Sequence, residues 1–210
     1  WVKENCDVPV ISVKHPTQTN CKKWEPNKFI KSTSPPVLQI GYWLRRPESI
    51  CSLESPYPYV KKWLPSENEY SMEMLGAYNK TNMKFFDERH KWSGVETLDW
   101  LPHEEYDEIL TSGIVFLDLY DSSANNAVIE CIARNTPLLV NRHPAVVEYC
   151  GEDYPLYFDN LEHASSILYD TDLIISAHEY FKNMDKSWLS GGYFANDLIN
   201  KLEGVINASN

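Results

Sequence analysis

The sequence predicts an α/β domain built on a parallel, Rossmann-like sheet flanked by helices. Three observations carry this reading. Residues 114–119 (IVFLDL) form a nearly continuous apolar run, the pattern of a strand buried on both faces. A helical pattern follows over 124–133, with Ala127, Val128, Cys131 and Ile132 on one side, and Pro137 stops it because the residue before a proline avoids the helical region. A second apolar run at 138–140 then leads into another helical pattern from His143–Pro144 to about Cys150. Strand, helix, strand and helix with short connections are the signature of parallel strands joined by helical crossovers.

The rest of the chain is read around that centre. Residues 8–13 (VPVISV) have the look of a strand, 21–31 are charged and irregular, and 31–36 (KSTSPP) resemble a linker whose prolines favour extended backbone. This divides the chain into an N-terminal strand with a basic arm (1–36) and the α/β domain proper (37–210). The domain opens with a strong strand candidate at 37–44 (VLQIGYWL), ended by Arg45–Arg46–Pro47, and a short helix over 49–53. Further strands are expected at 59–64, 83–86 and 95–98, with a helix over 67–78. Pro102 suits the first position of a helix reaching about Leu110, since its missing amide would have no partner there, and Glu104 and Glu105 suit the first turn. A last short strand is expected at 155–158. Asn160 can cap a helix running to about Tyr169, and helices follow over 171–183 and 186–205, the second interrupted by Gly191–Gly192.

Composition narrows the function classes. At 210 residues one domain is the default, large enough to be stable without staples. The net charge of −11 is uneven: residues 1–35 carry six Lys against three Asp/Glu, leaving −14 for the remainder. An acidic body argues against nonspecific nucleic-acid binding and against docking on an anionic membrane. The basic arm is either a solvated surface or a contact for an acidic partner. The five cysteines have no metal-site spacing, and their odd number suggests reduced thiols in a reducing compartment. No signal peptide is visible and no apolar run reaches membrane-spanning length, so a cytoplasmic location is expected. The abrupt start at Trp1 raises the expectation that the chain is a piece of a longer protein.

Candidate chemistry gathers where strand 114–119 hands over to its helix. In open parallel sheets ligands bind at the carboxyl ends of the strands. Ser122, Ser123, Ala124, Asn125 and Asn126 are small or polar, so a phosphate could approach their backbone, with the positive end of the helix behind them. Glu130, about one turn further on, could accept hydrogen bonds from ribose hydroxyls. His15, Asp121 and His143 are candidate bases, and Arg45 or Arg46 could hold phosphate oxygens through a planar guanidinium.

These residues resemble the donor-binding half of glycosyltransferases with the GT-B fold. Those enzymes carry a small-residue loop and then a helix in "EAxxxGxPVV" style, where this chain has Glu130–Cys131–Ile132–Ala133–Arg134–Asn135–Thr136–Pro137–Leu138–Leu139. The resemblance implies that Glu130 holds the ribose and that the amides of 122–126 hold the diphosphate. It implies further that Gly41, Arg45 and Arg46 match the glycine turn and basic residue of the opening strand, and that Trp100 and Leu101 frame the base. Trp100 reads equally as a core aromatic. Two positions depart from the family: Asn135 stands where glycine is usual, and Ser122 stands eight residues before Glu130, where retaining enzymes often have a second glutamate. Inversion and retention therefore both stay open.

No nucleophile elbow, phosphate loop, zinc motif or dinucleotide fingerprint is present. The resemblance implies a glycosyltransferase that moves a sugar from a nucleoside-diphosphate donor, expected to be uridine-linked, to a glycan acceptor. It needs no cofactor besides the donor and, as is typical of the family, no metal. A full GT-B enzyme has two such domains, so further domains of the same polypeptide are expected to complete the acceptor site. The chain also looks like one domain of the multi-domain glycosyltransferases of chlorella viruses, which implies a deoxyhexose such as rhamnose and action in the cytoplasm. The alternative is a nucleotide-sugar-binding or regulatory module without turnover.

Overall fold

The structure is a computed structural model that describes residues 8–41, 44–57, 60–63, 95–98, 101–122 and 125–208. Six parallel strands form one sheet: β1 (Val37–Gln39), β2 (Val60–Trp63), β3 (Val95–Leu98), β4 (Ile114–Leu117), β5 (Leu138–Asn141) and β6 (Tyr157–Phe158). Their spatial order is β3-β2-β1-β4-β5-β6. The chain leaves β1 toward one edge and β4 toward the other, so the topological switch point, where ligands of such folds bind, lies between them. Val37 faces Val60 on one side and Ile114 on the other.

The helices are α1 (Pro26–Lys31), α2 (His103–Leu110), α3 (Asn126–Arg134), α4 (Pro144–Cys150), α5 (Leu161–Leu168), α6 (Thr171–Asn183) and α7 (Gly191–Ala208). All four residues of β4 are buried, as a strand covered on both faces requires. α3 buries Ala127, Val128, Ile129, Cys131, Ile132, Ala133 and Arg134. It ends in a Schellman closure: Asn135 turns left-handed at φ 59, its N–H bonds Ile132 O at 3.3 Å, and Thr136 N–H bonds Cys131 O at 3.0 Å. Asparagine is the residue that best tolerates this conformation after glycine, which accounts for Asn135 at the left-handed position where a glycine is usual.

Several expectations need correction. Among the described residues, 8–13 pair with no strand, although their alternation suits one. The stretch read as irregular over 21–31 contains α1, which starts at Pro26 and buries Phe29. Trp24 and Phe29 belong to the common core, 5.2 Å apart between ring centroids, and Trp24 Nε1 donates to Gly113 O at 2.8 Å. β1 stops at Gln39 because Gly41, at φ 71, bends the chain away. Pro102 precedes α2 rather than opening it. Gly191 and Gly192 start α7 instead of interrupting a helix, after a 3₁₀ turn at Ser187–Leu189. The helix expected over 67–78 and the strand expected over 83–86 lie outside the described residues.

Candidate functional site at the switch point

A cavity of about 380 Å³ opens at the carboxyl ends of β1 and β4. Five residues singled out in the sequence line it: Gly41, Arg45, Leu101, Asn126 and Glu130. They come from three segments, the turn after β1, the loop before α2, and the first two turns of α3.

Arg45 is the buried cation of the site, only 8% exposed. Burial pushes its guanidinium down to about 10, while the neighbouring Tyr106 and Glu130 act in the opposite direction. It therefore stays charged at neutral pH. Its Nη2 donates to Asn125 Oδ1 at 3.0 Å. Asn125 is the residue before α3, and its side chain makes no capping bond to the helix. The helix thus offers its N-terminal dipole to the cavity with Arg45 beside it. Gly41 makes room for the guanidinium: a Cβ there would stand 2.4 Å from Arg45 Nη1.

Glu130 faces Arg45 from the second turn of α3. Burial raises its carboxyl above the ordinary value, and the hydrogen bond from Tyr106 and the charge of Arg134 partly offset this. Tyr106 Oη donates to Glu130 Oε2 at 2.7 Å. Burial, and then Glu130, push the phenol far above its normal range, so it remains a donor.

Other sequence candidates lie elsewhere. Arg46 points away from the cavity, pairing with Asp118 at 2.8 Å and donating to Leu119 O at 3.0 Å. Asp121 is exposed, accepts the Ser122 N–H at 2.7 Å, and stands 3.6 Å from His143 Nε2. His143 caps α4, its Nδ1 accepting from Ala145 N at 3.2 Å. His15 is brought to the rim by a 2.7 Å contact between its Nε2 and Oδ1 of the cavity residue Asn126. Trp100, Ser123 and Ala124 lie outside the described residues. Among the described residues, no group of three or more His, Cys, Asp or Glu could hold a metal ion, and no helix is long and apolar enough to cross a membrane.

His103 and Tyr106 line the cavity but were not singled out in the sequence. They are the first and fourth residues of α2, hence on one face, and α2 follows the carboxyl end of β3. That placement is the signal that marks them, once the strand order is known.

The sheet order, the crevice at its switch point and the small-residue entry to α3 define a Rossmann-like unit of the kind that makes up one half of a GT-B glycosyltransferase. Solved structures agree at the level of the fold. A mutant of TarM from S. aureus, in complex with Fondaparinux, alpha-GlcNAc-glycerol and UDP, superposes with a TM-score of 0.64 at 9% identity over 95% of this chain and 41% of its own. AviGT4, a glycosyltransferase involved in Avilamycin A biosynthesis, gives 0.57 at 12% identity over 97% of this chain and 59% of its own. WaaG, a glycosyltransferase involved in lipopolysaccharide biosynthesis, gives 0.54 at 14% identity over 90% and 54%. The chain thus spans between two fifths and three fifths of these proteins. No family model and no curated protein matches the sequence.

Proposed function

We propose that this chain is the donor-binding unit of a glycosyltransferase, holding a nucleoside-diphosphate sugar in the switch-point cavity for transfer to a glycan acceptor. The observation that carries this reading is the facing of Arg45 and Glu130 across one cavity at the N-terminal end of α3. Arg45 and the helix dipole would balance the leaving diphosphate without a metal, and Glu130 would accept from the ribose. Leu101 would lie against the base. A uridine nucleotide is favoured because the TarM structure was solved with UDP, in a fold that this chain shares. The viral resemblance adds a deoxyhexose such as rhamnose and action in the cytoplasm, which a screen of UDP-sugars and a localisation experiment would test.

A second reading is a nucleotide-sugar-binding module that needs a partner domain for turnover. It is favoured by one observation: none of the three candidate bases, His15, Asp121 and His143, lines the cavity. Calorimetric titration with UDP, beside GDP, ADP and dTDP and with and without chelator, separates the outcomes. Binding that ignores chelator and that Glu130→Ala and Arg45→Ala each weaken supports a donor site. Absence of heat from the folded protein overturns it. Transfer or hydrolysis of a bound UDP-sugar distinguishes the enzyme from the module.

A further inference from the structure

We propose that His15, in the arm, is a positioning residue of the donor site: it occupies the side-chain oxygen of Asn126, so that toward a ligand Asn126 can only donate. This rests on the donor-site reading above and deepens it. His15 Nε2 lies 2.7 Å from Asn126 Oδ1. A carboxamide oxygen only accepts, so Nε2 carries the proton of this bond. The reverse orientation of the carboxamide would put the ring proton on Nδ1, which is buried with no hydrogen-bond partner among the described residues. A buried N–H without an acceptor is a rarer fault than an acceptor left bare. The neighbours of His15 hold the ring there. Pro16 disfavours helical backbone at His15, Lys14 Nζ donates to Glu148 O at 3.3 Å, and Thr17 N–H donates to Leu189 O at 3.0 Å. The Tyr149 ring meets the imidazole edge-on, 6.4 Å between centroids.

Asn125 repeats the pattern one residue earlier, its Oδ1 receiving Arg45 Nη2 at 3.0 Å. Both carboxamides at the entry to α3 thus have their oxygens occupied, one by a guanidinium and one by an imidazole, and keep only N–H groups for a ligand. Asn126 lines the cavity, so what it offers there is a neutral donor, suited to an oxygen of the diphosphate. Without His15, the same carboxamide could turn its oxygen to that place, where it would repel a phosphate. Holding the amide in one orientation beforehand removes that loss and the ordering cost of the rotor. With Nδ1 enclosed and Nε2 committed to Asn126, the imidazole has no nitrogen left for an acceptor hydroxyl, and His15 acts through Asn126 rather than as a base.

The test is calorimetry with UDP on the 210-residue chain and on variants shown to be folded: His15→Ala, Asn126→Ala, the two combined, and His15→Gln, whose side-chain N–H can stand where Nε2 stands. His15→Ala is expected to weaken UDP binding about three- to tenfold. In the Asn126→Ala background the same change is expected to alter affinity by less than about twofold, because its route to the ligand is gone. His15→Gln is expected to bind within about twofold of the wild type. Unchanged UDP affinity in His15→Ala overturns the inference. So does a double variant in which the two losses multiply, or a His15→Gln protein that binds no better than His15→Ala. UDP binding that Arg45→Ala abolishes and His15→Ala leaves alone keeps the donor site and removes only the role of His15. Absence of any binding by the folded wild type removes both.

Discussion

Arg46 Nη1 lies 2.8 Å from Asp118 Oδ1, and this pair fixes which of two consecutive arginines reaches the cavity. The contact is reinforced by Arg46 N–H to Asp118 O at 2.8 Å, by Gln39 Nε2 to Arg46 O at 3.0 Å, and by Ser49 Oγ, which donates to the other Asp118 oxygen. With Arg46 held against the end of β4, Arg45 is left to face Asn125. Asp118→Ala removes the acceptor for both partners and is expected to cost about 1–3 kcal/mol. Arg46→Ala is expected to cost less than about 1 kcal/mol, because the arginine is half-exposed. Urea unfolding checks the order, and a larger loss for Arg46→Ala would show that Asp118 is not the organising partner.

Gly41 joins backbone geometry to the site. Its φ of 71 disfavours any side chain, and the Cβ of alanine would collide with Arg45 Nη1. Gly41→Ala is expected to lower stability by about 1 kcal/mol and to displace the guanidinium, weakening UDP binding. A variant that loses stability yet binds UDP as before would separate the turn from the site.

Arg45 itself should trade stability against binding. It is a buried cation with its proton affinity pushed down to about 10. Methionine fills much of the same space without the charge, so Arg45→Met is expected to leave the melting temperature unchanged or higher. UDP affinity is expected to fall by about tenfold or more. A clear drop in melting temperature would instead mark Arg45 as structural.

Glu130 gives the site a pH dependence whose sign follows from its raised carboxyl. Relative to the ordinary value of 4.5, the folded state holds this proton more tightly. The resulting stability is fully present below pH 4.5 and is lost as pH rises through the raised value. Glu130→Gln is therefore expected to raise the melting temperature at neutral pH and to give no gain below pH 4.5. In the wild type, UDP affinity should fall on acidification with a midpoint above 4.5; a midpoint at or below it would contradict the burial of the carboxyl.

The arm contributes to the core through Trp24, whose indole N–H bonds Gly113 O inside the fold. Trp24→Phe keeps an aromatic ring but leaves that carbonyl without its donor, and should cost about 1–3 kcal/mol. Chemical denaturation checks this, and a neutral result would mean that the Trp24–Gly113 hydrogen bond adds nothing to stability.

The sequence made some elements legible and hid others for physical reasons. β4, α3 and α4 stand out because unbroken apolar runs and helical spacing survive inside one short stretch. α5 announces itself through Asn160, whose side chain accepts from His163 N, while at the start of α6 the structure adds Asp170, which accepts from Leu173 N. By contrast, α1 has Trp24 and Phe29 as its anchors amid lysines, too few to show a period. Residues 8–13 alternate correctly, but alternation does not say whether a neighbouring strand exists. Arg45 and Arg46 are equivalent on paper; the carboxylate that separates them is 72 positions from Arg46. Glu130 stands out as a candidate from its place one turn into the helix after the strand. Tyr106, 24 positions earlier, needed the strand order.

The arm also touches both ends of one helix. His15 meets Asn126 at the start of α3, while Lys23 Nζ reaches Ala133 O at 2.6 Å and Trp24 N–H reaches Arg134 O at 2.9 Å at its finish. The nine residues of α3 span about 13 Å, a distance that the chain from His15 to Trp24 covers with slack. The exposed residues 18–20 should thus accept insertions that His15 and Trp24 would not. A nucleotide that orders Asn126 would also steady the strap fastened to it. Slower hydrogen–deuterium exchange at the Trp24 amide, a full helix length from the cavity, would then report occupancy of the site.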